Sequence, residues 1–273
     1  MTESPVEPLI CKMAVPTIIS MLITSIYNMA DTFFVGRLGT SATGAVGVVF
    51  PLMALIQAVG FFFGQGSGNY ISRQLGAQRR EEAERMAATG FFSALCAGCL
   101  ILLIGLLLRQ PLVRLLGATD TIVPYALDYM CIILIGAPYM TASLVLNNQL
   151  RLQGNAVYAM VGLVSGGVLN MVLDPLFIFT FGMGIRGAAL ATILSQLVGF
   201  CLLLTGVYVS GGIRIRLCLF SPSPARYADL ARGGIPSLCR QGLASIAVTC
   251  LNTAARPYGD AAIAAMSIVT RVS

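Results

Sequence analysis

Polar and apolar positions are segregated along this chain into long blocks. Stretches without any Asp, Glu, Lys or Arg run over 13–30, 38–72, 86–108, 129–150, 152–173 and 187–213. Each reaches or exceeds the roughly 18 residues that mark a membrane-spanning helix. None shows period-2 alternation, and lipid offers the backbone no hydrogen-bond partners, so helices rather than a closed barrel are the predicted spanning elements. The spans read as 13–36, 45–70, 87–108, 120–144, 157–181, 187–210 and 232–256, with an eighth helix beginning near 260. The chain stops at Ser273, about 14 residues into that helix and short of the roughly 20 needed to cross, so the sequence reads as truncated.

Two polar segments punctuate these blocks, Arg73–Arg85 and Gly211–Arg232. The second contains Ser221-Pro-Ser-Pro and is the better linker candidate. After it the pattern restarts at an offset of 220: Ala14-Val-Pro-Thr-Ile matches Gly234-Ile-Pro-Ser-Leu, and Gly39-Thr-Ser-Ala matches Gly259-Asp-Ala-Ala. The register gives identities at Pro16, Ser25, Ile26, Gly39, Ala42, Ala45 and Val49. A repeat of six helices crosses the membrane an even number of times, so the two copies are parallel. The expected architecture is all-α, a polytopic transmembrane bundle with a six-helix lobe at 1–210. A cytoplasmic inter-lobe linker follows at 211–231, and 232–273 holds the first one to two helices of a second lobe. Two full copies make twelve helices, with substrate between the lobes.

Composition agrees. Only 10% of residues are charged, against roughly a quarter in ordinary soluble domains. The net charge of +6 reports topology rather than a nucleic-acid partner. With the N-terminus inside, cytoplasmic segments hold Lys12, Arg73, Arg79, Arg80, Arg85, Arg151, Arg214, Arg216, Arg226 and Arg232, while outer loops hold Arg37, Arg109, Arg114 and Arg186. That bias follows the positive-inside rule. No cleavage motif closes the first apolar block, which is expected to remain as a span.

The eight cysteines fall mostly within apolar runs and read as small packing residues. Cys96-x-x-Cys99 has metal-pair spacing, but the chain contains no histidine and the pair lies mid-helix. Gly64-Gln-Gly-Ser-Gly lacks the Gly-Lys-Ser/Thr of a phosphate loop. Glycines 60, 64 and 68 share one helix face and read as a close-packing stripe. No nucleophile stands beside a candidate base, so no enzyme is expected.

Two acids interrupt apolar runs, Asp31 and Asp174, and a carboxylate inside a membrane is kept mainly for function. Asn170 lies four residues before Asp174, on the same face of the fifth span. Pro175 removes an N–H from the carbonyl of Met171 and predicts a kink. Carboxylate, amide and carbonyl oxygens suit a hard cation. Proton carriage by a desolvated carboxyl is the other functional reading, and a structural alternative pairs Asp31 with Arg37.

Together these segments resemble the multidrug and toxic compound extrusion (MATE) transporters. Tyr27-Asn-Met-Ala-Asp-Thr-Phe-Phe-Val-Gly-Arg-Leu-Gly is similar to that family's first helix, and Gly66-Ser-Gly-Asn-Tyr-Ile-Ser-Arg-Gln-Leu-Gly-Ala to the end of its second. Asn147-Asn-Gln-Leu-Arg-Leu-Gln-Gly-Asn, Leu169-Asn-Met-Val-Leu-Asp-Pro and Gly187-Ala-Ala-Leu-Ala-Thr resemble segments of helices four, five and six. The resemblance implies a monomeric antiporter, multi-pass in the bacterial cytoplasmic membrane with a cytoplasmic N-terminus. It exports small-molecule drugs and organic cations in exchange for sodium or protons, with no cofactor besides the coupling ion. By the same resemblance Asp31, Asn170, Asp174 and Thr192 hold the cation with the backbone oxygen of Ala188, and Tyr129 and Asn147 line the pocket. Sodium is the metal such a set implies. Leu251 stands opposite Asp31 in the repeat register, so the acidic site belongs to the first lobe alone. A family transporter needs both lobes for its cleft, so this length alone is not expected to transport. The competing readings are a lipid-linked precursor or polysaccharide flippase of the same superfamily, expected to be more cationic inside, and a membrane subunit without transport.

Overall fold

The computed structural model describes residues 6–272 other than 210 and 214. The expected cytoplasmic residues 1–5, Arg214 and the chain's last residue lie outside the described residues, as do the side chains of Cys11 and Lys12. The helices are α1 (Val6–Gly36), α2 (Thr40–Gly76), α3 (Arg80–Leu107), α4 (Arg109–Leu115), α5 (Val123–Leu152), α6 (Ala156–Pro175), α7 (Ile185–Val209), α8 (Pro224–Ala255) and α9 (Asp260–Val272). No strand occurs among the described residues. Among the described residues, six helices are long and apolar enough to cross a membrane: α1 from Ala14, α2, α3, α5, α6 with the turn after it, and α7. The seventh expected span is helical within α8 but is not among these six, because residues such as Arg232, Arg240 and Gln241 dilute its apolar character.

Helix ends overrun the apolar blocks wherever polar groups find partners. The Arg73–Arg85 segment is helical except at Ala77–Arg79, since Glu81 and Glu82 suit the positive end of α3 and Arg80 pairs with Glu84 at 3.2 Å. α5 runs eight residues past its expected end at 144. Its buried amides are satisfied there: Gln65 Nε2 donates to Asn148 Oδ1 at 2.9 Å, and Gln149 Nε2 to Ser67 Oγ at 2.9 Å and Ala87 O at 3.2 Å. The short α4 lies between the third and fifth helices and was not legible as an element.

Small residues set the packing, because lipid supplies no hydrophobic drive between helices and close backbone approach replaces it. A Cβ on Gly60, Gly64 or Gly68 would meet Leu144, Asn148 or Leu152 of α5, so this stripe packs the first lobe internally. Gly66, on another face of α2, lies against the Leu230 carbonyl of α8.

The described residues of 211–223 are strapped to the lobe. Arg80 donates to the Gly212 carbonyl at 3.0 Å, Ile213 N to Gln153 Oε1 at 3.1 Å, and Arg226 reaches Glu82 at 3.2 Å and the Ser221 carbonyl at 2.9 Å. Ile213 and Ile215 are buried. Ser223 then caps α8 by accepting from Arg226 N at 3.3 Å, with Pro224 in the first turn, so helix claims 224–231 of the expected linker. The repeat is visible in the backbone. α1 and α8 each contain the matched proline, Pro16 and Pro236. Each leads to a glycine at positive φ, Gly39 at 117° and Gly259 at 85°, a conformation side chains disfavour. α2 and α9 start from those glycines.

Candidate functional site

The two intramembrane acids are buried: Asp31 on α1 is 6% exposed, Asp174 on α6 is 0%, and Asn170 is 3%. One helical turn separates Asn170 from Asp174, and Asn170 Nδ2 donates to Asp174 Oδ1 at 3.3 Å. α6 gives way to a π-helical turn, Leu176–Thr180, right after Pro175. That wider turn is the form the expected kink takes, and single π turns concentrate at functional positions.

Glycines bring α1 and α7 against the acidic face of α6. A Cβ on Gly167 would lie 2.9 Å from Tyr27 Cδ1 and 3.4 Å from Ile23 Cγ2, so α1 lies directly on α6 there. One turn further along both helices, which run parallel, Asp31 comes level with Asn170. On the other side, α7 runs antiparallel to α6. Gly199 stands against the Gly162 carbonyl at 2.9 Å, Gly166 against that of Ser195 at 3.2 Å, and Gly187 against Phe177 O at 2.7 Å, distances measured from where each Cβ would be. This register sets Asn170 opposite Thr192 and Asp174 opposite Ala188. Thr192 Oγ1 donates to the Ala188 carbonyl at 3.0 Å, which points the hydroxyl lone pairs away from the helix axis.

Five expected residues, Asp31, Asn170, Asp174, Thr192 and Ala188, therefore share one level of the α1–α6–α7 seam. The two pocket residues part company. Tyr129 is buried, donates to Met53 Sδ at 3.9 Å and packs in the same core as Ala188 and Ile178. Asn147 lies eighteen residues further along α5, about 27 Å at 1.5 Å per residue, where its amide donates to the Ala159 carbonyl at 2.9 Å and accepts from Arg151 at 3.1 Å. Arg37, the alternative partner for Asp31, lies over the Phe33 ring, 4.7 Å from its centroid. Tyr27 and Gly167 pack α1 on α6 next to these residues and were not singled out from sequence. The closely spaced glycines 162, 166 and 167 were the available signal.

Two carboxyl groups and an amide, all buried, with a half-buried hydroxyl make an oxygen-rich, acidic set. No cluster of three or more His, Cys, Asp or Glu occurs among the described residues, so the arrangement differs from a transition-metal centre.

The MatE family model matches residues 16–176. The multidrug export protein MepA of Staphylococcus aureus (strain MRSA252) is 26% identical over 274 residues, covering 99% of this chain and 60% of that protein. A solved structure described as the inward-facing conformation of a multidrug resistance MATE family transporter of the MOP superfamily superposes with a TM-score of 0.84 at 34% identity, over 93% of this chain and 60% of its own. One described as the outward-facing conformation gives 0.83 at 32% identity, over 96% and 62%. The chain thus spans about 60% of the length of these relatives.

Proposed function

We propose, from the premise that this chain belongs to the MatE family of transporters, that it carries the cation-coupling part of a multidrug efflux antiporter. The observation behind this reading is that buried Asp31, Asn170, Asp174 and Ala188 and half-buried Thr192 gather at one stretch of the seam between membrane-spanning helices. Two ionised carboxylates there carry a large desolvation penalty, which a single cation between them relieves. Sodium suits the set, because hard oxygen ligands are what it takes: both carboxylates, the Asn170 and Ala188 carbonyls and the Thr192 hydroxyl. A proton on either carboxyl relieves the same penalty.

Export follows from competition for that charge. An organic cation reaching the cleft from the cytoplasmic side and a coupling ion entering from outside stabilise the same acids, so each favours release of the other. Rocking of two parallel lobes exposes the seam to one side at a time. The N-terminus is assigned to the cytoplasm because the arginine-rich turns then fall inside. Small-molecule drugs are the proposed cargo, as the MepA relative's description as a multidrug export protein suggests.

The test is a sodium titration of the purified protein, followed by intrinsic fluorescence at pH 6 and pH 8, alongside Asp31→Asn and Asp174→Asn. Saturable binding lost in both variants establishes sodium coupling through these acids. A response to pH alone, lost in the variants, makes the proton the coupling ion. A sodium or proton response that both variants retain removes the site from these residues. In a full-length protein that carries both lobes, efflux of a fluorescent organic cation from proteoliposomes is expected to fail in Asp174→Asn while membrane insertion is kept.

A further inference from the structure

Asp260 opens α9, where a carboxylate suits the positive end of the helix. Its oxygens accept three hydrogen bonds from the first lobe. Thr119 Oγ1 donates to Oδ1 at 2.6 Å, Thr121 Oγ1 to Oδ2 at 2.6 Å and Ser41 Oγ to Oδ2 at 3.1 Å. Thr119 and Thr121 lie in the turn before α5, and Ser41 in the first turn of α2. Three separate segments of two repeats therefore meet on one carboxylate. The Thr119 and Thr121 hydrogen bonds, with a smaller one from Ser41, hold that carboxyl below the ordinary carboxylate range although partial burial pulls the other way. Hydroxyl-to-carboxylate bonds of this length belong to the stronger, charge-assisted class.

The cluster sits at the end of the bundle opposite the arginine-rich turns. Beneath it the lobe and the second repeat touch closely. Gly117 lies against the backbone of Asn252 and Thr253, Gly47 against Ser267, and Asn252 Nδ2 donates to the Gly47 carbonyl at 3.2 Å. Beside these contacts lies a small cleft with room for about one water, lined by Thr32, Val35, Thr43, Val46 and Ser267. Thr32 follows Asp31 in the chain. In the repeat register the residue matching Asp260 is Thr40, so the acid occurs in the second copy alone.

We propose that Asp260 with Ser41, Thr119 and Thr121 is an outer latch, a polar clasp that forms only when the second repeat closes over the outer approach to the Asp31 seam. This rests on the alternating-access reading above. A carrier that opens to one side at a time must break every contact between its lobes at the opening end. The energy of those contacts then sets how often that end opens. The other contacts at this end are close backbone approaches, apolar packing of Ile263, and neutral bonds from Asn252 to the Gly47 carbonyl and from Ser267 to the Thr43 carbonyl, so the clasp supplies the charge-assisted bonds of the closed state.

The experiment places Thr43→Cys, in the cleft wall, on a background with the eight native cysteines replaced, and measures its labelling in vesicles by a membrane-impermeant maleimide from each side. Asp260→Ala and the Thr119→Val/Thr121→Val pair are each expected to raise outer-side labelling about tenfold, as loss of clasp hydrogen bonds shifts the equilibrium. The threonine pair carries the test should Asp260→Ala fail to insert. A disulfide formed in a Thr121→Cys/Asp260→Cys pair is expected to suppress labelling from outside. Unchanged outer labelling in the threonine pair, or undiminished labelling under the disulfide, overturns the latch. Accessibility is read without cation binding or transport, so this result stands apart from the sodium titration of the acids.

Discussion

Tyr27 rests its ring on Gly167, one turn before Asp31 on α1 and three residues before Asn170 on α6. A side chain at 167 runs into the Tyr27 ring and Ile23, so Gly167→Leu is expected to wedge α1 from α6 and raise the cation midpoint about five- to a hundredfold, as overpacking by about 1–3 kcal/mol allows. Titration of the folded variant checks this; an unaltered midpoint would mean that α1 contributes nothing to the site. At this scale the sequence was most legible where chemistry was incongruous. Asp31 and Asp174 stand out because charge in an apolar run has few structural excuses, and Asn170 follows from helical spacing. Gly167 did not stand out, since a glycine's role depends on what lies across from it. Asn147 shows the converse: a position suggested by resemblance whose amide is engaged about 27 Å along α5 from Tyr129.

The helix that organises the molecule is α2, and its faces have different duties. Gly60, Gly64 and Gly68 seat α5, while Gly66 faces the backbone of α8, where a Cβ would collide with the Leu230 carbonyl. Gly66→Val is therefore expected to part α2 from α8 without dismantling the first lobe. Gln57 and Gln241 bridge the same interface at 3.4 Å, so the yield of a Gln57→Cys/Gln241→Cys disulfide is the measurement; it should fall several-fold in Gly66→Val and hold in Gly242→Ala, where a Cβ meets open space. Spans were readable because hydropathy is additive along a helix. Helix ends were not, because they depend on partners such as Gln65 for Asn148 and on the Ser223 cap of α8. The close-packing stripe was legible from its spacing, but the two faces of α2 were not, since periodicity names no partner.

Across the whole molecule, the repeat seen as matched residues at an offset of 220 is also a repeat of form, with a proline-bearing helix, a positive-φ glycine and a second helix in each copy. The arginine bias was legible because it is a count along the chain. The strap at 211–223 was not: its Pro and Ser content reads as loose linker, whereas Arg80, Gln153 and Glu82 hold it down through bonds to its own backbone and to Arg226. Arg80→Ala is expected to loosen it and to speed tryptic cleavage after Arg216 several-fold, read by gel over time in detergent; an unchanged rate would place the restraint elsewhere. The strap also bears on how the chain assembles. Once the six-helix body has formed, a loose tail of this length would let α8 wander over a wide volume before meeting its groove. Pinned at Glu82 and Gln153, the tail shortens to a leash, and the search becomes a brief swing at high effective concentration, with α8 delivered beside Gly66 almost as soon as it leaves the ribosome.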